Sequence, residues 1–170
     1  MTDTERSTDT RRGFSIVRHL DAPRELVFRA WTDPAQLHWF AGVAPSAEHP
    51  STVDLRIGGA WRVFLVEQND EARSYFTGGV YREIVPGERL VFSWGAVGGW
   101  PSLDLDRLDD APLATVRLKP AGSRTEMVFN LQLPDHLTDE QMLEWTSGPV
   151  LVGWGMTIDR LVARYAAVAA

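Results

Sequence analysis

Between Val150 and Val168, large side chains recur at Val150, Trp154, Ile158, Leu161, Tyr165 and Val168, at spacings of 4, 4, 3, 4 and 3. That rhythm gathers them into one stripe and predicts an amphipathic α-helix at the end of the chain. Asp159, Arg160 and Arg164 fall off the stripe and read as surface positions. Upstream the period shortens to 2. Phe14 to Leu20 alternates as a strand, and Val53–Ile57, Trp61–Glu67, Ser74–Ile84, Glu88–Trp94, Ala114–Lys119 and Thr125–Leu133 read as six more. Gly58-Gly59-Ala60, Pro86-Gly87 and Pro120-Ala121-Gly122-Ser123 carry the turn chemistry of hairpins. At least one of Gly58 and Gly59 is expected at positive φ, which glycine adopts without steric cost.

Two short helices interrupt the strands. Asp21-Ala22-Pro23 predicts a helix start with Asp21 or Ala22 near the N-cap and Pro23 in the first turn. Asp33-Pro34 predicts a second helix running through Phe40. Residues 96–112 are rich in glycine, proline and aspartate and read as a loop. Thr138, with Gln141 three positions on, carries the capping-box signature of one or two helical turns. Residues 1–12 hold no large apolar residue after Met1 and are expected to form a disordered tail before one domain over residues 13–170.

The predicted order is a strand, two short helices, six strands and a long helix, an α+β arrangement. An antiparallel sheet of about seven strands has one face to cover. The C-terminal helix is the only predicted element long enough to do so. A curved sheet wrapped round that helix is the economical solution.

Composition narrows the function. The 170 residues suffice for a sizeable core. With 17 basic against 23 acidic residues the net charge is −6, which gives no footprint for nucleic acid or an anionic membrane. The absence of cysteine excludes disulfides, thiolate metal sites and thiol nucleophiles, and suits a reducing cytoplasm. The polar opening stretch lacks a signal-peptide core, and no apolar run approaches the ~20 residues of a membrane span. A soluble cytoplasmic protein is expected.

The chain resembles the heat-shock protein 90 ATPase activator-like branch of the SRPBCC superfamily, which includes START and birch-pollen-allergen domains. The resemblance rests on Arg18, Ala22-Pro23, Val27-Phe28, Ala30-Trp31-Thr32-Asp33-Pro34, Trp39-Phe40, Gly58-Gly59 with Trp61, Gly79 with Tyr81, Glu83-Ile84, Pro86, Arg89-Leu90-Val91, Thr125 and Gly153-Trp154 leading to Leu161. It spans roughly residues 14–166. It implies a helix-grip fold, with the sheet wrapped round the C-terminal helix, and an apolar cavity between them. It also implies a chaperone as a candidate partner, with a place in the stress response. Such fold analogy does not assign an activity.

No catalytic constellation stands out. His19, His38, His49 and His136 lack metal-ligand spacing, so no metal or cofactor is predicted. His38, next to Trp39 near the expected cavity mouth, is the best acid–base candidate. There is no Gly-x-Ser-x-Gly, and neither Gly58-Gly59 nor Gly98-Gly99 leads into a phosphate-loop lysine. Asp104, Asp106, Asp109 and Asp110 cluster without calcium-loop spacing and read as solvated.

The remaining candidate is aromatic. Trp39, Phe64, Phe76, Phe92, Trp94, Phe129, Trp154 and Ile158 are expected to line a cavity of a few hundred Å³, roughly the lower end for ligand pockets. A helix of ~10 Å diameter cannot fill the concavity of such a sheet. The same rings packed solid, with no ligand, are the alternative. Three functions follow: binding of a small hydrophobic or amphipathic molecule, a co-chaperone-like interaction module, or an enzyme on a sequestered hydrophobic substrate using His38 or a buried carboxylate.

Overall fold

The computed structural model describes residues 12–41, 48–67 and 70–165, with the side chains of 67 and 70–73 left aside. The first strand, β1 (Gly13–Leu20), leads into helix α1 (Arg24–Thr32), a single 3₁₀ turn at Pro34–Gln36 and the short helix α2 (His38–Ala41). Strands β2 (Thr52–Val53), β3 (Ala60–Glu67), β4 (Asp70–Val85), β5 (Arg89–Trp94), β6 (Leu113–Ala121) and β7 (Arg124–Gln132) follow. Helices α3 (Asp139–Thr146) and α4 (Pro149–Tyr165) close the chain. The strands form one antiparallel sheet in the order β1-β7-β6-β5-β4-β3-β2, the expected helix-grip architecture. No helix among the described residues is long and apolar enough to cross a membrane.

Helix α4 meets the sheet along the predicted stripe. Trp154, Ile158 and Leu161 are buried, Val150 and Tyr165 are partly buried, and Val168 lies outside the described residues. The Thr138 capping box forms in full, its hydroxyl accepting from the Gln141 amide while the Gln141 side chain accepts from the Thr138 amide. Gly58 has φ 83°, as the hairpin reading requires.

Several boundaries differ from the sequence reading. Pro23 is itself the N-cap of α1, with extended ψ 153°, so the helix begins later along the chain than the expected cap at Asp21 or Ala22 would start it. The strand expected over 53–57 ends at Val53. From Asp54 the chain turns, with Asp54 N–H donating to the Ala60 carbonyl and Gly59 N–H to the Arg56 carbonyl. The Asp54 carboxylate accepts from Arg56 Nε at 2.8 Å, a short-range turn contact that outcompetes sheet pairing here. Residues 1–11, most of the expected tail, lie outside the described residues. Arg12, directly before β1, is held on the sheet: its carbonyl accepts from the Leu133 amide, and its Nη2 donates to the Pro134 carbonyl, each at 2.7 Å.

The concave face is not left to α4 alone. Val27, Ala30 and Trp31 of α1 are buried, and the Trp31 ring lies parallel to Phe129 of β7 with centroids 6.3 Å apart. Helix α2 adds buried Trp39 and Phe40. Three helices share the concavity that the sequence assigned to one.

Candidate ligand-binding site

Six of the eight expected lining residues come together under α4. Trp154 stacks on Phe129 at 4.3 Å and meets Trp94 edge-on at 5.1 Å. Phe40 of α2 stands between Trp154, at 5.4 Å, and Trp61, at 5.2 Å. Trp61 also meets Phe92 edge-on at 5.2 Å. Trp39 packs against Trp31 at 4.9 Å, and Ile158 is fully buried beneath the helix.

Phe64 and Phe76 lie elsewhere. Along β3, Trp61 faces the helix, so Phe64 three residues on faces the opposite side of the sheet. Phe76 is its direct cross-strand partner, with rings 5.0 Å apart. His49 stacks on Phe64 at 3.9 Å, and the Arg62 guanidinium sits 4.6 Å over Phe76. This is a second aromatic patch, separated from the first by the sheet.

Sequence reasoning missed the solvent-facing end of this aromatic cluster. Trp100 in the β5–β6 loop is 44% exposed and lies parallel to Trp145 of α3, with centroids 6.0 Å apart. Trp94 meets both rings edge-on, and Tyr75 meets Trp100. An unbroken aromatic surface therefore runs from solvent at Trp100 through Trp94 to buried Trp154. The signal was Trp100 directly after Gly98-Gly99 and Trp145 at the end of the capped helix, both read only as local punctuation.

Hydrogen bonding divides the buried tryptophans. Trp39 Nε1 donates to the Ala30 carbonyl at 2.9 Å and Trp94 Nε1 to the Thr77 hydroxyl at 3.0 Å. Among the described residues, the Nε1 atoms of Trp31, Trp61 and Trp154 and the hydroxyl of Tyr81 have no partner. A buried donor left unmade costs about 1–3 kcal/mol, so four in one core call for an explanation. Burial pushes the Tyr81 phenol pKa well up, and the Asp54 charge adds to the shift. The phenol therefore stays protonated across the physiological range and remains a donor.

Among the described residues, no histidine or carboxylate is buried in this interior. His38 is exposed on α2, its Nε2 3.3 Å from Arg164 Nη1. Asp109 is paired with Arg82, and Asp110 with Arg107. Among the described residues, no three metal-ligating side chains converge.

A family model described as activator of Hsp90 ATPase homolog 1-like protein matches residues 21–166. The chain belongs to this family. The solved structures similar to this family member share its fold. Protein Ms6760 from Mycobacterium smegmatis has 17% identity, a TM-score of 0.69 and 95% coverage of both chains. A protein from Rhizobium leguminosarum has 25% identity and a TM-score of 0.62, covering 89% of this chain and 91% of its own. PFC0360w, an Hsp90 activator from Plasmodium falciparum, has 19% identity, a TM-score of 0.55 and 85% coverage of both chains. No curated protein matches the chain.

In this member of the family, Arg160 fixes the seat of α2 although it lies off the apolar stripe. Its Nε donates to the Trp39 carbonyl at 2.9 Å and its Nη2 to the Phe40 carbonyl at 2.8 Å. Partial burial lowers its pKa, but a guanidinium remains charged. Arg160→Met is expected to lower stability by about 1 kcal/mol, since water can reach part of the site and meet the freed carbonyls. Urea denaturation measures the loss, and hydrogen exchange at residues 38–41 locates it; unchanged exchange there would show that Arg160 does not hold α2.

Proposed function

We propose that this domain binds a small apolar or amphipathic molecule between the sheet and α4, admitted past Trp100 and Trp145. The observation that carries this reading is the continuous run of rings from exposed Trp100 to buried Trp154. Exposed Trp100 stacked on partly buried Trp145, leading into an interior without charged side chains among the described residues, selects by apolar area and ring geometry, not by ion pairing.

The test is titration of the native protein with uncharged N-phenyl-1-naphthylamine. Saturable dye enhancement with quenching of tryptophan emission is expected. Trp100→Ala should weaken binding about threefold to tenfold, the worth of one ring contact. Ile158→Trp should block it by filling the space beneath α4. No saturable binding by the folded protein would overturn the reading. The family match supports a second one, contact with an Hsp90-type chaperone, and stimulation of chaperone ATP hydrolysis without dye binding would put that first.

A further inference from the structure

We infer that the ligand of this groove is an uncharged molecule with an acceptor oxygen on a rigid apolar frame, recognised by Tyr81 and the indoles of Trp61 and Trp154. The inference rests on the binding reading above and names the chemistry that reading leaves open. Three donors, each at most 3% exposed, gather round two rings. Trp61 touches both Phe40 and Phe92, Trp154 touches Phe40, and Tyr81 is the cross-strand partner of Phe92 on the same face.

Among the described residues no group accepts a hydrogen bond from these three donors. An indole N–H can only donate, and a buried neutral phenol has its proton to give. Of the four buried polar side chains among the described residues, Thr77 accepts from Trp94, Thr125 donates to the Ala22 carbonyl, and Thr115, opposite Val91 and Asn130, faces away from α4. Ser93, opposite Val80, faces away from α4 and is bonded to Arg82 and the Leu108 carbonyl. Asp54, the nearest carboxylate to Tyr81 in electrostatic effect, is engaged by Arg56. Among the described residues, no buried residue is charged.

Ligand charge is then decided by elimination. A carboxylate would enter an interior with no counter-ion, and a cation would meet the positive ends of N–H and O–H dipoles. A plain hydrocarbon would leave every donor unpaired. A ketone, quinone or ester oxygen satisfies the donors without importing charge. Phe40 is the ring to be displaced, because it separates Trp61 from Trp154 and rides on the four-residue helix seated by Arg160.

Three probes of one shape test this: fluorene, 9-fluorenone and fluorene-9-carboxylate, titrated by tryptophan quenching against the wild-type protein and Phe40→Ala. Fluorenone is expected to bind about tenfold tighter than fluorene, the ratio one hydrogen bond supplies, with the carboxylate weakest. Its bound carbonyl stretch should shift to lower wavenumber. Tyr81→Phe should bring the fluorenone-to-fluorene ratio toward one and diminish that shift, while its melting temperature stays at or above that of the parent. Equal binding of fluorene and fluorenone, or tightest binding of the carboxylate, would overturn the acceptor assignment and leave the binding reading intact. Failure of all three probes on both proteins would remove the binding reading and this inference with it.

Discussion

Trp154→Ala is expected to lower the free energy of unfolding by about 3–5 kcal/mol, the usual range for an aromatic truncated in a core. Trp154 is 3% exposed and touches Phe129, Trp94 and Phe40, which belong to three different elements of the fold. Removing it strips the α4–sheet contact of its largest side chain and leaves a void that those rings can only partly close. One term acts the other way: the variant also loses a buried N–H without a partner among the described residues. Trp154→Phe keeps most of the ring and sheds that donor, so it should cost clearly less than the alanine. Urea denaturation of both variants gives the comparison. An alanine variant within about 1 kcal/mol of the parent would mean that α4 is not held through this ring. Leu161→Ala, about two turns further along the same buried face, should fall at about 2–5 kcal/mol.

Helix α4 was legible because both of its faces obey one period, and nothing tertiary competes with that pattern. The hairpins at Pro86-Gly87 and Gly122-Ser123 were equally readable from turn chemistry. Strand β2 was not. Its sequence, Thr52-Val53-Asp54-Leu55-Arg56-Ile57, alternates well enough for a longer strand, but the Asp54–Arg56 contact and Gly58 close the chain into a turn. Leu55 and Ile57 consequently stand exposed where a strand reading would have buried one face.

The candidate site was half legible for a related reason. Alternation says that Trp61 and Phe64 point to opposite faces, yet says nothing about which face meets the helix. Phe64 and Phe76 are as apolar as Phe92, and only the pairing of Trp61 with Gly79 and Trp94 settles the parity. Alternation from Gly79 places Tyr81 beside Phe92 inside and Arg82 beside Ser93 outside, and the bulge between Tyr81 and Glu83 then leaves Glu83 outside opposite Val91 and returns Ile84 to the inner face opposite Leu90. The argument that one helix cannot fill the sheet also overlooked Trp31. Its position on α1 was evident, but the path that lays its ring parallel to Phe129 depends on Asp33 capping the turn before α2. The Arg160 contacts span 121 and 120 residues of sequence and left no local mark.

Gly78→Ala is expected to cost about 3 kcal/mol or more, at or beyond the upper end for overpacking. The reason is space and not backbone conformation, since Gly78 is not among the glycines at positive φ. A Cβ there would fall on the carbonyl oxygen of Trp61, with Arg62 Cα at 3.1 Å. Both atoms belong to the backbone of the neighbouring strand, so no side-chain rotation relieves the clash and the β3–β4 pairing must open. Gly79 is crowded differently, with a Cβ meeting Phe92 Cδ2 at 2.5 Å and Trp61 Nε1 at 2.8 Å, so its absent side chain is what lets the Trp61 indole lie across β4. Gly87 supplies the control. It has φ 76° but open space around a Cβ, so Gly87→Ala should cost only the left-handed backbone penalty of about 1–2 kcal/mol. Gly78→Ala should also speed amide exchange along β3 and weaken dye binding, because the strand that shifts carries Trp61. A Gly78→Ala protein that melts like the parent, or exchanges faster only at β5–β6, would show that the β3–β4 approach does not set the position of Trp61.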